Sequence, residues 1–334
     1  MMKRFVLRWE TALLCMLIAE FAIFGMINPR FLNLSNLLYS TSDFAQIGIV
    51  ALPLTIVIIA GGIDVSFASA VGLCAIIFGI SNFFGMPLPI SILASLVAGA
   101  AAGLFNATII HVSRIQPLVV TLGSLYLFGG AATVLSGVVG ASGYEGIGNF
   151  PDVFTAFAYF ELAGLPAPFV VLLVEAVILF VILHYSRFGR SVFMCGLSEH
   201  AARYSGLPIR TIQTITYVMT GVFAAVAGLV LSSYFGSARV DLGTATLLPA
   251  ITAAVLGGAS IYGGQGSIIG TLLATLVIGY LQQGLQMSGV PSQISSALSG
   301  ALLVVAVALR HGSAVLTDFI AARIMAMNRK RAAS

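Results

Sequence analysis

The chain has 334 residues, of which 59% are hydrophobic and only 8% charged, with a mean hydropathy of +1.06. A water-exposed globule is roughly a quarter charged, so a soluble enzyme is excluded, and the hydrophobicity excludes disorder. The net charge of +4 sits in short breaks between apolar runs rather than on a basic stripe, so no nucleic-acid partner is expected.

The apolar runs are continuous rather than alternating, which rules out barrel strands and predicts an all-α polytopic membrane protein. A helix needs about 20 mostly apolar residues to cross the hydrocarbon core. Ten candidate spans follow, at 9–27, 44–60, 64–82, 88–110, 116–137, 166–185, 212–234, 245–259, 266–286 and 293–310. The third and eighth are rich in Ser, Ala and Gly. The first follows Lys3, Arg4 and Arg8 as a signal peptide would, yet Glu10 and Glu20 interrupt it, so it reads as a retained span. With ten spans and both termini in the cytoplasm, 13 Lys and Arg residues lie inside and only Arg30 and Arg239 outside, as the positive-inside rule requires. The whole chain, 1–334, reads as one transmembrane domain in a multi-pass membrane protein.

After the second span comes a glycine break, Gly61-Gly62-Ile63-Asp64, and a second such break, Gly257-Gly258 with Gly263-Gly264, follows the eighth. In both copies Leu-Pro precedes Gly-Gly by the same interval, and a further apolar run follows. Small residues are common in membrane helices, which is one reading; the other is an internally duplicated transporter whose path lies near glycine-interrupted helices. By the span count both breaks face the cytoplasm. Gly99 and Gly103 form a G-x-x-x-G on one face of the fourth span, a spacing that serves close helix packing.

The largest outer loop, 138–165, carries Glu145, Asp152 and Glu161 but no Lys or Arg, and suits a surface that a soluble partner touches. The longest inner loop, 186–211, holds Glu199, Ala201, Ala202 and Tyr204 ahead of Gly206 and Pro208, the pattern of a short helix ended by Gly and Pro. On the residues alone this helix either docks on another protein or rests on anionic headgroups of membrane lipid, which its arginines also favour. Glu20, Glu175 and Asp64 are intramembrane acids, which keeps an ion-coupled secondary transporter open as an alternative. Scattered Cys and His residues give no metal-ligand spacing, so no metal is expected. No nucleophile-base constellation appears either, and a membrane enzyme is not expected.

The stretch EHAARYSG at 199–206 resembles the coupling motif of ATP-binding-cassette importer permeases, and residues 61–66 and 257–271 look like the hallmark segments of their ribose-type sugar branch. Segments from Ser40, Ser142, Ser233 and Gly279 are most similar to the members of that branch that import autoinducer-2. Phe67-Ala68 follows Ser66 where the family often has Gly. The resemblance implies a permease of the bacterial inner membrane with no cofactor of its own, since ATP is bound by two partner ATPase subunits. No phosphate-binding loop motif occurs, and Lys3 and Lys330 are the chain's lysines. It further implies a companion permease in a heterodimer and a periplasmic substrate-binding protein. Glu199, Ala201, Ala202 and Gly206 would form the coupling lever, with Arg203 and Arg210 facing acidic groups on the ATPase. The implied solute is small, neutral and hydroxyl-rich, so amides along its path are wanted: Gln282, Gln283 and Gln286 cluster in the ninth span, with Gln282 and Gln286 one turn apart on one face, and Asn106, Asn82 and Gln46 are further candidates.

Overall fold

The structure, a computed structural model, describes residues 2–141 and 145–291 together with a few single positions up to 304, with side chains from Trp9 onward. Apart from those single positions, the expected tenth span, 293–310, and the basic tail fall outside the described residues. The long helices in chain order are α1 (Met2–Ile27), α2 (Leu34–Ile59), α3 (Phe67–Phe83), α4 (Leu88–Ser113) and α5 (Pro117–Val138). A short α6 (Asp152–Phe157) and a two-residue hairpin, β1 (Glu161–Leu162) with β2 (Leu165–Pro166), then precede α7 (Ala167–Tyr185). Next come α8 (Arg187–Leu197), α9 (Glu199–Tyr204), α10 (Ile209–Phe235), α11 (Leu247–Leu256) and α12 (Ile268–Met287).

Each of the first nine expected spans contains a helix, but seven among the described residues are long and apolar enough to cross a membrane. The third and eighth fall short, as α3 has 17 residues and α11 has 10. In the second copy the helix starts only at Leu247, so Pro249 lies in its first turn, where a proline costs no hydrogen bond. Its counterpart Pro53 lies inside α2, which instead begins ten residues before its expected start because Asn33 caps it by accepting the Ser35 amide.

Helix α2 is the axis of the bundle. Of its most apolar window 89% is buried, against 22% for α1 and 28% for α4 and α5, whose outer faces are exposed. It packs against α7, α10, α11 and α12, while α3 is buried between α4, α5 and α10. A helix can be this buried when it is apolar all round, which is how α2 reads from Ile47 to Ile59. The crossing of α4 and α10 is backbone on backbone. A Cβ on Gly99 would lie 2.2 Å from Gly221 O, one on Gly103 2.2 Å from Tyr217 O, and one on Gly221 2.0 Å from Gly99 O. The G-x-x-x-G pair thus packs one helix on another.

That contact leaves no room for a side chain. Gly221→Leu is expected to lower the thermal unfolding midpoint of the purified protein in detergent by an overpacking cost of about 1–3 kcal/mol or more. Gly123→Ala, where an added Cβ meets nothing within 4 Å, should leave it unchanged or raised.

Candidate functional site

Both glycine breaks close their helices in the same way. At the end of α2, Gly61 adopts a left-handed φ of +87°, Gly62 N–H donates to Val57 O (2.9 Å) and Gly61 N–H to Ile58 O (3.0 Å). At the end of α11, Gly258 has φ +106°, Ala259 N–H donates to Ala254 O (3.0 Å) and Gly258 N–H to Val255 O (3.0 Å). These are two Schellman caps, in which the left-handed residue is almost always glycine. The left-handed position falls on the first glycine of the pair in one copy and on the second in the other, one residue out of the register that Leu-Pro suggests.

The two breaks meet each other. Gly264 N–H donates to Ile59 O at 2.8 Å, and a Cβ on Gly263 would lie 3.1 Å from Gly61 Cα. Deeper in the bundle, the hydroxyls of Thr55 on α2 and Thr271 on α12 pair at 2.8 Å. Helix α8 lies across the meeting point: a Cβ on Gly196 would sit 1.8 Å from Ile59 O and 2.4 Å from Gly264 N. Three chain segments far apart in sequence therefore touch through backbone at Gly61, Gly196 and Gly263-Gly264. Reading the sequence did not single out Gly196. The available signal was a glycine inside a helical pattern, which costs about 1 kcal/mol against alanine and so asks for a packing reason.

The break after α2 is braced from within. Asp64 Oδ1 accepts from both the Ser66 amide (2.9 Å) and the Ser66 hydroxyl (2.7 Å), which in turn accepts from Asn106 Nδ2 (2.7 Å). Tyr217 and Thr121 donate to Ile63 O. The second break is held by α1, where Trp9 Nε1 donates to Leu256 O (2.6 Å) and Ser267 Oγ to Glu10 Oε1 (2.8 Å).

From this junction the inner loop projects as two helices rather than one. Ser198 caps α9 by accepting the Ala201 amide (3.3 Å), Gly206 closes it at φ +76°, and Pro208 precedes α10. Ala202 is the buried residue of α9. Glu199, Ala201, Arg203, Gly206 and Arg210 are exposed, and Tyr204 is 93% exposed. Arg203 bonds Glu199 at 2.6 Å one turn away, a pair too exposed to stabilise much. Burial, and secondarily the Glu199 carboxylate, pushes the Cys195 thiol above its usual range, so it packs rather than reacts.

The expected path amides do not converge. Asn106 is buried at the first break with Oδ1 unpartnered, Asn82 lies at the far end of α3, and Gln46 donates to Asp43 O within α2. On α12, Gln286 is exposed and Gln282 half-buried, whereas their neighbour Gln283 lines a cavity at the end of the bundle opposite the breaks. Glu20 and Glu175 are buried without a hydrogen-bond partner among the described residues.

A family profile described as branched-chain amino acid transport system / permease component matches residues 36–307. The chain is 58% identical over 301 residues to the autoinducer 2 import system permease protein LsrD of Klebsiella pneumoniae, covering 90% of this chain and 91% of the relative. It is 56% identical over 305 residues to LsrD of Escherichia coli K12, covering 91% and 92%. In fold it is similar to a metal-chelate type ABC transporter solved in an inward-facing conformation, with a TM-score of 0.50 at 15% identity, over 91% of this chain and 99% of the other.

The junction makes a direct prediction. Gly196→Val should drive α8 away from Ile59 and Gly264, so that hydrogen exchange of the 257–267 segment and of the 59–64 segment speeds up together. Faster exchange in neither segment would mean that α8 does not hold the breaks.

Proposed function

We propose, for a chain that belongs to the permease-component family of ATP-binding-cassette importers, that it carries autoinducer 2, a small hydroxyl-rich solute, across the bacterial inner membrane. Permeases of this family work with ATPase and substrate-binding subunits. For this chain the proposed assembly has two cytoplasmic ATPases, a companion permease in a heterodimer and a periplasmic binding protein, with both termini in the cytoplasm. The ATPases hold the nucleotide, and the chain itself supplies neither an ATP site nor a catalytic group.

One observation carries this reading: the exposed α9 is continuous, through α8 and Gly196, with both glycine breaks. Glu199, Ala201, Ala202, Arg203, Gly206 and Arg210 form the lever that an ATPase grips. A push on α9 moves α8, and α8 cannot move without disturbing Ile59 at the end of α2 and Gly264 ahead of α12. The breaks built from Gly61, Gly62, Asp64, Gly257, Gly258, Gly263 and Gly264 then act as paired hinges between inward and outward access. ATP binding shifts the population of two arrangements by its differential affinity for them. The relatives' name supplies autoinducer 2 as substrate, and hydrogen-bonding side chains such as Asn106 and Gln283 suit a neutral polyol.

Labelled autoinducer 2 uptake, in cells with and without the gene and with ribose as competitor, tests the substrate. Uptake should require both the gene and an active ATPase, and uptake that survives ATPase inactivation but collapses with the proton gradient would refute the mechanism. Glu199→Lys, which reverses charge on the exposed lever, and Gly206→Val, which strains a left-handed position, should each leave membrane levels unchanged and lower uptake severalfold.

A further inference from the structure

The end of the bundle opposite the breaks holds a cavity of about 340 Å³ that the proposed coupling mechanism does not use. Four segments build it: the first half of α2, the 158–166 stretch, the end of α10 and the end of α12. Its working groups are Tyr39, Asp43, Tyr159, Glu161, Tyr234 and Gln283. The Tyr234 hydroxyl donates to Asp43 Oδ1 at 2.5 Å, and the Tyr39 hydroxyl donates to Glu161 Oε1. Tyr159 stacks on Tyr234 with ring centroids 6.1 Å apart and donates to Tyr234 O at 3.0 Å.

Tyr234 and Tyr39 therefore each fix one oxygen of a carboxylate and leave the second as an acceptor. A carboxylate accepts and does not donate when ionised, while a carboxamide offers both functions. The tyrosine rings add flat apolar faces beside polar tips. Acceptors in pairs, one amide and aromatic faces match the alternating O–H and C–H surface of a small polyhydroxylated molecule. The volume lies at the lower end of ligand pockets, about 300–1,000 Å³, which suits a solute of sugar size.

We propose that this cavity is a binding site for a small polyol at the outer mouth of the permease, where the solute is held before it enters the bundle. The proposal rests on the transport reading above and adds a location and a set of contacts to it. Its position has a mechanical consequence. Helix α2 runs from Asp43 in the cavity to Ile59 at the junction, about 24 Å at 1.5 Å per residue. Helix α12 starts four residues after Gly264 and carries Gln283 in its last turns, and α10 begins a short turn after α9 and carries Tyr234 next to its last residue. All three helices that floor the cavity start or finish at the coupling end, so movement of the lever changes the spacing of the cavity's walls.

The test is saturation-transfer NMR on the assembled importer in nanodiscs, without nucleotide or binding protein, using autoinducer 2 and ribose as separate probes. The wild type should give a signal with at least one of them. Asp43→Asn, Glu161→Gln and the ring-preserving Tyr234→Phe should each weaken binding about tenfold, the loss expected for one charge-assisted hydrogen bond, in samples whose assembly is verified by size exclusion. A wild-type importer that transports but binds neither probe, or variants that bind as the wild type does, would overturn the site while leaving the transport reading intact. Variants that keep solute binding but weaken docking of the binding protein would also overturn it, because the carboxylates would then serve a protein interface. If the wild type binds a probe at this site yet fails to import autoinducer 2, the transport reading fails and the site stands.

Discussion

The amide of Gly264 bonded to the carbonyl of Ile59, with Gly196 laid over both, is the constraint on which the rest of the molecule depends. Helix ends carry unsatisfied carbonyls and amides, and in a bilayer each needs a partner. Here the end of α2 satisfies the turn of the second glycine break. That exchange requires main chains at van der Waals distance, which only residues without a Cβ allow. Three glycine-bearing segments therefore converge where a larger residue in any of them would force the group apart.

The same arrangement explains why α2 is so deeply buried. One end belongs to the junction and the other to the tyrosine and carboxylate cavity, and it is enclosed by α7, α10, α11 and α12 along its length. The exposed apolar faces belong chiefly to α1, α4 and α5. The glycine crossing of α4 on α10 fixes the helix that continues from the exposed α9, so a displacement of the inner loop reaches packed helices rather than a slack linker. Packed interfaces rearrange between discrete states more readily than they stretch.

Much of this was legible in the chain. The glycine breaks were visible because Gly-Gly follows Leu-Pro at one interval twice, and α9 because Gly206 and Pro208 end a short helical pattern. The lengths of α3 and α11 were not, since hydropathy does not see that Pro249 falls in a first turn. Gly196 was hidden because its partners, Ile59 and Gly264, lie more than 60 residues away on either side. The outer cavity was hidden for the same reason: Asp43, Glu161, Tyr234 and Gln283 come from four separate segments, and no spacing announces them. Helical periodicity pointed to Gln282 and Gln286 on one face, but the packing of α12 turns Gln283 to the cavity instead.

The central claim is that α9 and the second glycine break move as one body. Spin labels at Tyr204 on α9 and Tyr262 at the tip of the break, both largely exposed, with a reference label at the lipid-facing Tyr126 on α5, measure it by pulsed electron resonance in the assembled importer with Cys15 replaced. Between nucleotide-free and nucleotide-trapped states, the Tyr204–Tyr262 distance should hold while both distances to Tyr126 change. A Tyr204–Tyr262 distance that shifts as much as the other two would show that the lever slides over the junction rather than carrying it.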